Sequence, residues 1–222
     1  MAMGNVDDRL ARSGDSQGCL CSDAEMNPFC KSLNEQTRCK LCAESRQLLI
    51  RRGAAIPMTD ILSEVLVVKS GVVGAVLSTE NGKTQGVFLA QKGYVANLVR
   101  IVGDTKRYDV SFNESQFGCA FTDMRACAIR IDAIRRCFRD DPDFAWTMLC
   151  EFSDRCKDVM KSLALLTEMS GTDKVAWLLD ELEGMGVDLT SVTHETIGRV
   201  LNMNRVSVTR VMPSVMEQRS RR

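Results

Sequence analysis

The segment Thr193–Met212 has the sequence THETIGRVLNMNRVSVTRVM, and it decides how the rest of the chain is interpreted. It begins with Thr193, a favourable N-cap, and then places apolar side chains at the i, i+3 and i+4 spacing of one helical face: Ile197, Val200 and Leu201. Asn202 follows, and asparagine tolerates the left-handed backbone conformation of a helix end. The pattern predicts a short helix that ends in a tight turn.

The second half of this segment predicts another helix, with Asn204 as its N-cap. Its apolar side chains share one face: Val208, Val211 and Met212. Its opposite face carries polar side chains: Arg205, Ser207, Thr209 and Arg210. Two short helices, the second with polar groups outward, are typical of a helix-turn-helix whose second helix enters the DNA major groove.

Local charge supports this interpretation. From Thr193 to Arg222 there are six arginines against two glutamates, a net charge of +4, whereas the whole chain has 29 basic and 29 acidic side chains. A basic region on a neutral protein attracts phosphate. A helical hairpin without a DNA-binding role is the alternative, and the motif alone leaves both open.

Composition narrows the class of protein. The chain has 222 residues, of which 45% are hydrophobic and 26% charged, as in an ordinary globular protein. Apolar runs stay below the roughly 18 residues of a membrane span, and the N-terminus lacks signal-peptide features, so we expect a cytoplasmic protein without a membrane partner. An enzyme is not expected, because phosphate loops and nucleophile elbows are missing and His194 is the single histidine.

The chain divides into four predicted parts, a polar cysteine-rich segment, a sensor domain, a long helix and a DNA-binding domain: residues 1–33, 34–140, 141–170 and 171–222. Residues 1–18 are expected to be disordered, and Cys30 is expected on a loop. The sensor domain should open with a helix capped by Asn34 that runs to Ile50. Cys39 and Cys42 should then lie on the buried face of that helix.

The rest of the sensor domain predicts an antiparallel β-roll or barrel, which makes the fold class α+β. Its strands should be the apolar runs between glycine turns: Ile61–Val68, Val72–Leu77, Val87–Ala90, Tyr94–Ile101 and Ala126–Ile131. Asn81-Gly82 is the strongest hairpin signal.

Asp141-Pro142 opens the long helix, and Gly171 should end it. Its apolar residues recur in alternating steps of four and three: Ala145, Leu149, Phe152, Cys156, Val159, Leu163 and Leu166. Such a heptad seam predicts contact between two parallel copies of the helix. A core helix of a monomer is the alternative. Thr172-Asp173 should cap a further amphipathic helix.

A β-roll, a long dimerisation helix and a C-terminal helix-turn-helix in this order resemble the Crp/Fnr family of bacterial regulators, which includes the cyclic-AMP receptor protein and the oxygen sensor FNR. The resemblance covers residues 34–219. It is most specific at Thr193, Ile197-Gly198, Arg205, Val208 and Arg210. It implies a cyclic-nucleotide-binding-like roll, a homodimer, a palindromic double-stranded operator and RNA polymerase as a partner.

The resemblance also implies a set of DNA-binding residues: Thr193, His194, Asn204, Arg205, Ser207, Thr209 and Arg210. Arg205 and Arg210 match positions directed at bases or nearby phosphates, and a guanidinium can hold guanine by two hydrogen bonds. Val206 replaces the usual glutamate, which predicts a changed half-site. Pro213 should kink or stop the second helix. The chain ends at Arg222, so the family's β-hairpin wing is not expected.

A departure from the family pattern argues against cyclic AMP as the signal. The family's nucleotide pocket uses a Gly-Glu pair and an Arg-Ser or Arg-Thr pair, where this chain has Gly93–Leu98 and Asp109–Ser111. Without a positive charge, such a pocket does not neutralise a buried phosphate.

Ten cysteines are many for a cytosolic protein. FNR-type sensors hold a four-iron four-sulfur cluster, and the set that resembles their ligands is Cys19, Cys21, Cys30 and Cys127. A competing set with a Cys-x-x-Cys chelate is Cys30, Cys39, Cys42 and Cys127. An iron–sulfur cluster, a thiol or metal-ion sensor and an organic effector in the roll all stay open.

The four other cysteines are expected to be small buried hydrophobic residues: Cys119, Cys137, Cys150 and Cys156. The alternative function is a cysteine-based metal- or thiol-binding protein without a DNA-directed role. It leaves the basic helix-turn-helix unexplained.

Overall fold

The computed structural model describes residues 26–57, 61–78, 84–102 and 116–221. In these ranges, two antiparallel sheets are followed by a long helix and a helical domain, which confirms the predicted α+β fold. None of the helices described is both long enough and apolar enough to span a membrane.

The first half of the chain forms the β-roll. Its strands are β1 (Ser45–Ile50), β2 (Ala55–Pro57), β3 (Glu64–Ser70), β4 (Val73–Ser78), β5 (Thr84–Ala90), β6 (Val95–Ala96), β7 (Gln116–Ala120) and β8 (Met124–Arg130). One sheet has the order β1-β8-β3-β6 and the other β2-β7-β4-β5, with antiparallel pairing throughout. The helices of the roll are α1 (Pro28–Ser32), α2 (Glu35–Ala43), α3 (Val99–Val102) and α4 (Ile131–Asp140).

The second half is helical. It consists of α5 (Pro142–Glu168), α6 (Gly171–Gly184), α7 (His194–Leu201) and α8 (Arg205–Ser220), with a 3-10 turn at Leu189–Ser191. The side chain of Asp141 caps α5 by accepting a hydrogen bond from the Phe144 amide at 3.0 Å. Asn34 and Thr37 of α2 donate to the same carboxylate, so the long helix starts from a fixed point on the roll.

The helix predicted from Asn34 to Ile50 is wrong after Ala43. Asn34 caps α2 as expected, but β1 follows and pairs with β8. Leu48 and Ile50 are buried with one residue between them, the period of a strand rather than a helix.

The expected burial of the α2 thiols is also wrong. Cys39 is exposed and Cys42 is half-buried, because Thr37 and Leu41 form the buried face of this helix. Cys30 lies on the short helix α1, capped by Asn27, rather than on a loop.

The predicted run Tyr94–Ile101 is a strand only at β6. Asn97 has a φ of 69°, and its side-chain amide donates hydrogen bonds to the carbonyl oxygens of Ile61 and Glu64. The chain turns at this residue and then enters α3. Asn81-Gly82 lies outside the described residues. The paired ends of β4 and β5 that flank it have the arrangement of a hairpin.

The strand predicted to end at Ile131 ends at Arg130, and α4 begins at Ile131. This helix was not predicted from the sequence, although its buried residues Ile131, Ile134 and Cys137 have helical spacing. The long helix ends at Glu168 rather than Gly171, because Ser170 caps α6 through the Asp173 amide.

The helical domain shares a core with the sheet that contains β4 and β7. The strands of this sheet and the residues beside them contribute Val72, Val76, Cys119 and Phe121. The long helix and the helical domain contribute Leu166, Val175, Ala176, Leu178, Leu179, Leu182, Val187, Ile197, Val200, Leu201, Val208 and Val215. Leu166 therefore packs inside its own chain, with 4% of its surface exposed, rather than in the predicted seam. Burial of this continuous apolar surface fixes the helical domain against the roll.

Candidate nucleic-acid interface

The segment Thr193–Met212 contains the two helices predicted from its sequence. Thr193 caps α7 by accepting from the Thr196 amide at 3.1 Å, and Asn204 caps α8 by accepting from the Ser207 amide at 2.7 Å. Between them, Asn202 has φ 54° and ψ 42°, the left-handed conformation that ends α7. This is the geometry of a helix-turn-helix.

Gly198 lets the two helices approach closely. The Met203 amide donates to the Gly198 carbonyl oxygen at 2.9 Å, and a Cβ on Gly198 would collide with the carbonyl oxygen of Met203. A larger residue would push the turn away from α7, so this glycine sets the angle between the helices.

The second helix does not stop at Pro213. It continues to Ser220, although proline removes one helical hydrogen bond. Two features hold its C-terminal half: Val215 is fully buried in the shared core, and Arg219 forms ion pairs with Asp180 and Glu183 of α6. Tertiary packing thus outweighs the local preference of proline.

The solvent-facing side of α8 carries Arg205, Val206, Thr209 and Arg210. Within the described part of the chain, neither arginine side chain has a hydrogen bond or ion pair to another residue. The guanidinium groups are therefore available to an external acceptor. Val206, 66% exposed, offers an apolar surface that suits a thymine methyl group.

The other described arginines of this basic region are neutralised. Arg199 pairs with Glu195 at 3.2 Å, Arg221 pairs with Glu217, and Arg219 is held by α6. The excess positive charge of the segment is thereby concentrated on the exposed face of α8. Arg222 lies outside the described residues.

The remaining predicted contact residues have local roles. The side chains of Thr193 and Asn204 cap helices, and Ser207 is half-buried. His194 and Thr209 are hydrogen-bonded to each other across the two helices at 2.9 Å. Contact of any of these residues with DNA stays a prediction.

The outward face of α5 is apolar at the predicted seam. Leu149, Phe152 and Leu163 are exposed, and the seam positions half-buried against the rest of the chain are Ala145, Cys156 and Val159. Trp146 and Met160 flank the seam and are also exposed. Most exposed large hydrophobic side chains of the described protein therefore lie on this helix, which suits a contact surface.

The first helix of the motif rests directly on the β4–β5 pair. A Cβ on Gly86 would lie 2.6 Å from the carbonyl oxygen of Val200, and one on Gly74 would lie 3.3 Å from its side chain. The sequence analysis missed this contact. Its signal was glycine inside strands, where another backbone often approaches closely.

Cys119 lies under the same helix. Burial raises the pKa of its thiol, and the nearby Arg199 guanidinium acts in the opposite direction. The thiol is thus a buried group at the contact between the roll and the helix-turn-helix.

A cleft of about 400 Å3 lies where the roll, the long helix and the helical domain meet. Tyr94 and Phe88 stack with ring centroids 4.9 Å apart, and the Arg155 guanidinium lies 4.3 Å from the Tyr94 ring centroid. Arg155 also pairs with Asp158 at 3.1 Å. Burial raises the pKa of the Tyr94 hydroxyl and that of the Glu151 carboxyl.

Each part of the chain contributes side chains to this cleft. Lys92 comes from the roll, Lys161 from the long helix, and Trp177 and Met185 from the helical domain. A molecule bound there would contact all three parts at once. The sequence analysis missed this site, because only tertiary packing brings its residues together.

Two of the four cysteines predicted to bind an iron–sulfur cluster lie among the described residues. Cys127 is buried, and its sulfur lies 3.5 Å from the side-chain amide nitrogen of Gln47. Cys30 packs against the apolar cluster of buried residues that contains Cys127. Cys19 and Cys21 lie outside the described residues, as do residues 1–18 and Asp109–Ser111. Among the residues described, no three His, Cys, Asp or Glu side chains form a group that could hold a metal ion.

The four cysteines expected to be buried differ from one another. Cys119 and Cys137 are buried as predicted, and burial raises the pKa of both thiols. Cys156 is half-buried and Cys150 is exposed, so burial was wrongly predicted for Cys150. Cys150 follows Leu149 on α5, and both side chains are exposed.

Comparisons with known proteins give matches in structure only. No family model and no curated protein match the chain. A transcriptional regulator of the Crp/Fnr family from Eubacterium rectale superimposes with a TM-score of 0.67 at 18% sequence identity, over 86% of this chain and 87% of that one.

Two further solved structures share the fold. The c-di-GMP-responsive regulator CLP of Xanthomonas campestris gives a TM-score of 0.62 at 13% identity, over 83% of this chain and 93% of that one. FixK2 from Bradyrhizobium japonicum gives 0.58 at 14% identity, over 78% and 85%. The resemblance stated from the sequence is confirmed as a likeness of fold.

Proposed function

We propose that this chain, which has the fold of the Crp/Fnr regulators, is a homodimeric, sequence-specific DNA-binding regulator of transcription. The observation that carries the proposal is the exposed face of α8, where Arg205 and Arg210 have no acidic partner among the described residues. The helix-turn-helix presents this face outward while its apolar face is buried. Two solved structures of the same fold are those of transcriptional regulators, which supports the proposal.

The DNA-binding step follows from electrostatics and hydrogen bonding. Arg205 and Arg210 would bind guanine edges or phosphates, and a two-bond guanidinium–guanine contact gives roughly 1–3 kcal/mol of discrimination. Val206 would select thymine through its methyl group. Palindromic DNA would be recognised by two copies of α8, one from each protomer.

The dimer would form through α5. Leu149, Phe152 and Leu163 leave an apolar strip on this helix that a second copy would cover. Because the same helix starts at the roll and ends at the helical domain, its packing would fix the distance between the two recognition helices. RNA polymerase is proposed as the further partner.

The regulatory signal would enter through the sensor half, and it would be a redox or oxygen signal or a small molecule other than cyclic AMP. A small molecule would bind the cleft between the roll, α5 and α6, where it contacts both halves of the chain. Binding would shift the population between two arrangements of the DNA-binding domains.

Cys30 and Cys127 suit a redox or oxygen signal, because Cys127 belongs to one apolar cluster and Cys30 packs against the same cluster. They would be ligands of an iron–sulfur cluster together with Cys19 and Cys21, and such a cluster would make the regulator sensitive to oxygen. The competing ligand set is less suitable, because Cys39 is exposed whereas Cys127 is buried.

The proposal is tested by fluorescence anisotropy with labelled DNA selected for binding. The double variant Arg205→Ala/Arg210→Ala should lose most of its affinity and have a shallower dependence on salt concentration, since each lost phosphate contact lowers the salt slope by about 0.9. Arg221→Ala is the matched control, because Arg221 is already paired with Glu217. Equal loss in the control, or none in the double variant, would refute the assignment of α8.

A further inference from the structure

His194 connects the two helices of the motif. It is the first residue of α7, and its Nδ1 atom lies 2.9 Å from Oγ1 of Thr209 in α8. The same Thr209 oxygen lies 3.0 Å from the carbonyl oxygen of Arg205, one turn earlier in α8. Thr209 thus makes two hydrogen bonds on the exposed side of the motif.

The two hydrogen bonds of Thr209 together favour one tautomer of the neutral His194 ring. A carbonyl oxygen only accepts, so Thr209 donates its single hydroxyl hydrogen to Arg205. With that hydrogen directed at Arg205, the Thr209 oxygen accepts the hydrogen carried by Nδ1 of His194. In the neutral ring, Nε2 is therefore left with a lone pair and no hydrogen.

This tautomer gives His194 two opposite properties toward a phosphate. In the neutral ring, Nε2 is an acceptor and repels a phosphate oxygen. In the protonated ring, Nε2 becomes a donor and forms a charge-assisted hydrogen bond. The first turn of α7 also favours an anion, since its amide groups point outward.

The charged side chains around His194 lie on α7 and α8. On α7, Glu195 is paired with Arg199 at 3.2 Å. On α8, the element that packs against the ring, the exposed charged side chains near Thr209 are Arg205 and Arg210. Both attract phosphate to this face of the motif, so a bound DNA strand would favour the charged ring.

We propose that His194 is a proton-dependent phosphate donor, positioned by Thr209, which makes DNA affinity rise as pH falls. The proposal rests on the DNA-binding function proposed above. DNA binding would take up at most one proton per protomer through this ring, because His194 is the single histidine of the chain.

The test measures the dissociation constant for one selected DNA between about pH 5.5 and pH 8 at constant ionic strength, within the range in which histidine titrates. Wild-type affinity should rise by about tenfold per protomer as pH falls, roughly the effect of one charge-assisted hydrogen bond. His194→Gln should bind weakly and His194→Arg tightly, both without this pH dependence.

Two further variants test the positioning role of Thr209. Thr209→Val removes the acceptor of the Nδ1 hydrogen and should flatten the pH profile, whereas Thr209→Ser should keep it. Wild-type affinity that does not change with pH, or a pH profile that persists in His194→Gln, would overturn the inference while the DNA-binding function stands. Wild-type protein that binds no DNA at any pH would overturn both.

Discussion

Gly86 of β5 lies directly against the backbone of Val200 in α7, close enough that a Cβ would stand 2.6 Å from the Val200 carbonyl oxygen. The first helix of the helix-turn-helix therefore touches the β4–β5 sheet without an intervening side chain. A shift in this sheet would move the motif with it. In the proposed regulator, this contact would be a direct route from the roll to the position of α8.

Replacement of Gly86 by alanine should weaken this contact. The added methyl group meets main-chain atoms that cannot rotate away, so we expect the free energy of unfolding to fall by about 1–3 kcal/mol, as for overpacked sites. Urea denaturation measures the change. Gly184→Ala is the control, because a Cβ there meets nothing within 4 Å. Equal stability of Gly86→Ala and wild type would contradict the close contact.

Gly198→Ala should disrupt the helix-turn-helix itself. A Cβ there collides with the Met203 carbonyl oxygen, so the turn must open and α8 must tilt. We expect DNA affinity to fall at least tenfold in anisotropy measurements, a loss of about 1.4 kcal/mol. Asn202→Gly should retain affinity, since glycine adopts the left-handed conformation readily. Retained affinity in Gly198→Ala would show that the turn tolerates a wider angle.

The seam on α5 predicts which cysteine forms a bond between protomers. In a parallel pair, equal seam positions face each other, so Cys156 of one protomer should meet its own copy within disulfide range. Brief oxidation with copper phenanthroline should give a dimer band on a non-reducing gel for Cys150→Ser but not for Cys156→Ser. Cys150 is the matched control, exposed on the same helix. A dimer band that survives Cys156→Ser would place the contact elsewhere.

Asp141 should make stability depend on pH. Hydrogen bonds from Thr37, the Phe144 amide and Asn34 lower the pKa of its carboxyl. A lowered folded-state pKa stabilises the protein above the ordinary aspartate pKa of about 3.9, and this stabilisation is lost as pH falls through the folded-state value.

Asp141→Asn should accordingly be less stable than wild type at neutral pH, and the difference should close at acid pH. Urea denaturation at several pH values measures both effects. Asp143→Asn on the same helical turn is the control, because its side chain makes no comparable set of bonds in the described structure. A difference that stays constant down to pH 3 would show that charge is not involved.

Local signals in the sequence were enough for the DNA-binding half. The caps Thr193 and Asn204, the left-handed Asn202 and the apolar stripes all act within a few residues, and the structure contains each of them. Pro213 is the exception. Its local preference is overridden by the burial of Val215 and by ion pairs of Arg219, which the sequence pattern does not contain.

The sensor half was harder to predict, because its elements are decided by distant partners. Leu49 continues the three- and four-residue spacing of Cys39, Cys42 and Ala43, and only pairing with β8 makes that segment a strand. The cleft and the contact between Gly86 and Val200 join residues far apart in the chain. The ion pairs of Arg219 with Asp180 and Glu183 are likewise made by tertiary packing. Those of Arg199 and Arg221 join residues four positions apart, a spacing that the sequence does contain.

Selection of binding sites from a random DNA library by the wild-type chain tests the central claim most directly. We expect enrichment of an inverted repeat whose half-sites are centred about one helical turn apart, roughly 10–10.5 base pairs. Arg205→Ala/Arg210→Ala should enrich no such repeat. A wild-type selection without an inverted repeat, or one that the double variant reproduces, would contradict a dimeric regulator that recognises DNA through α8.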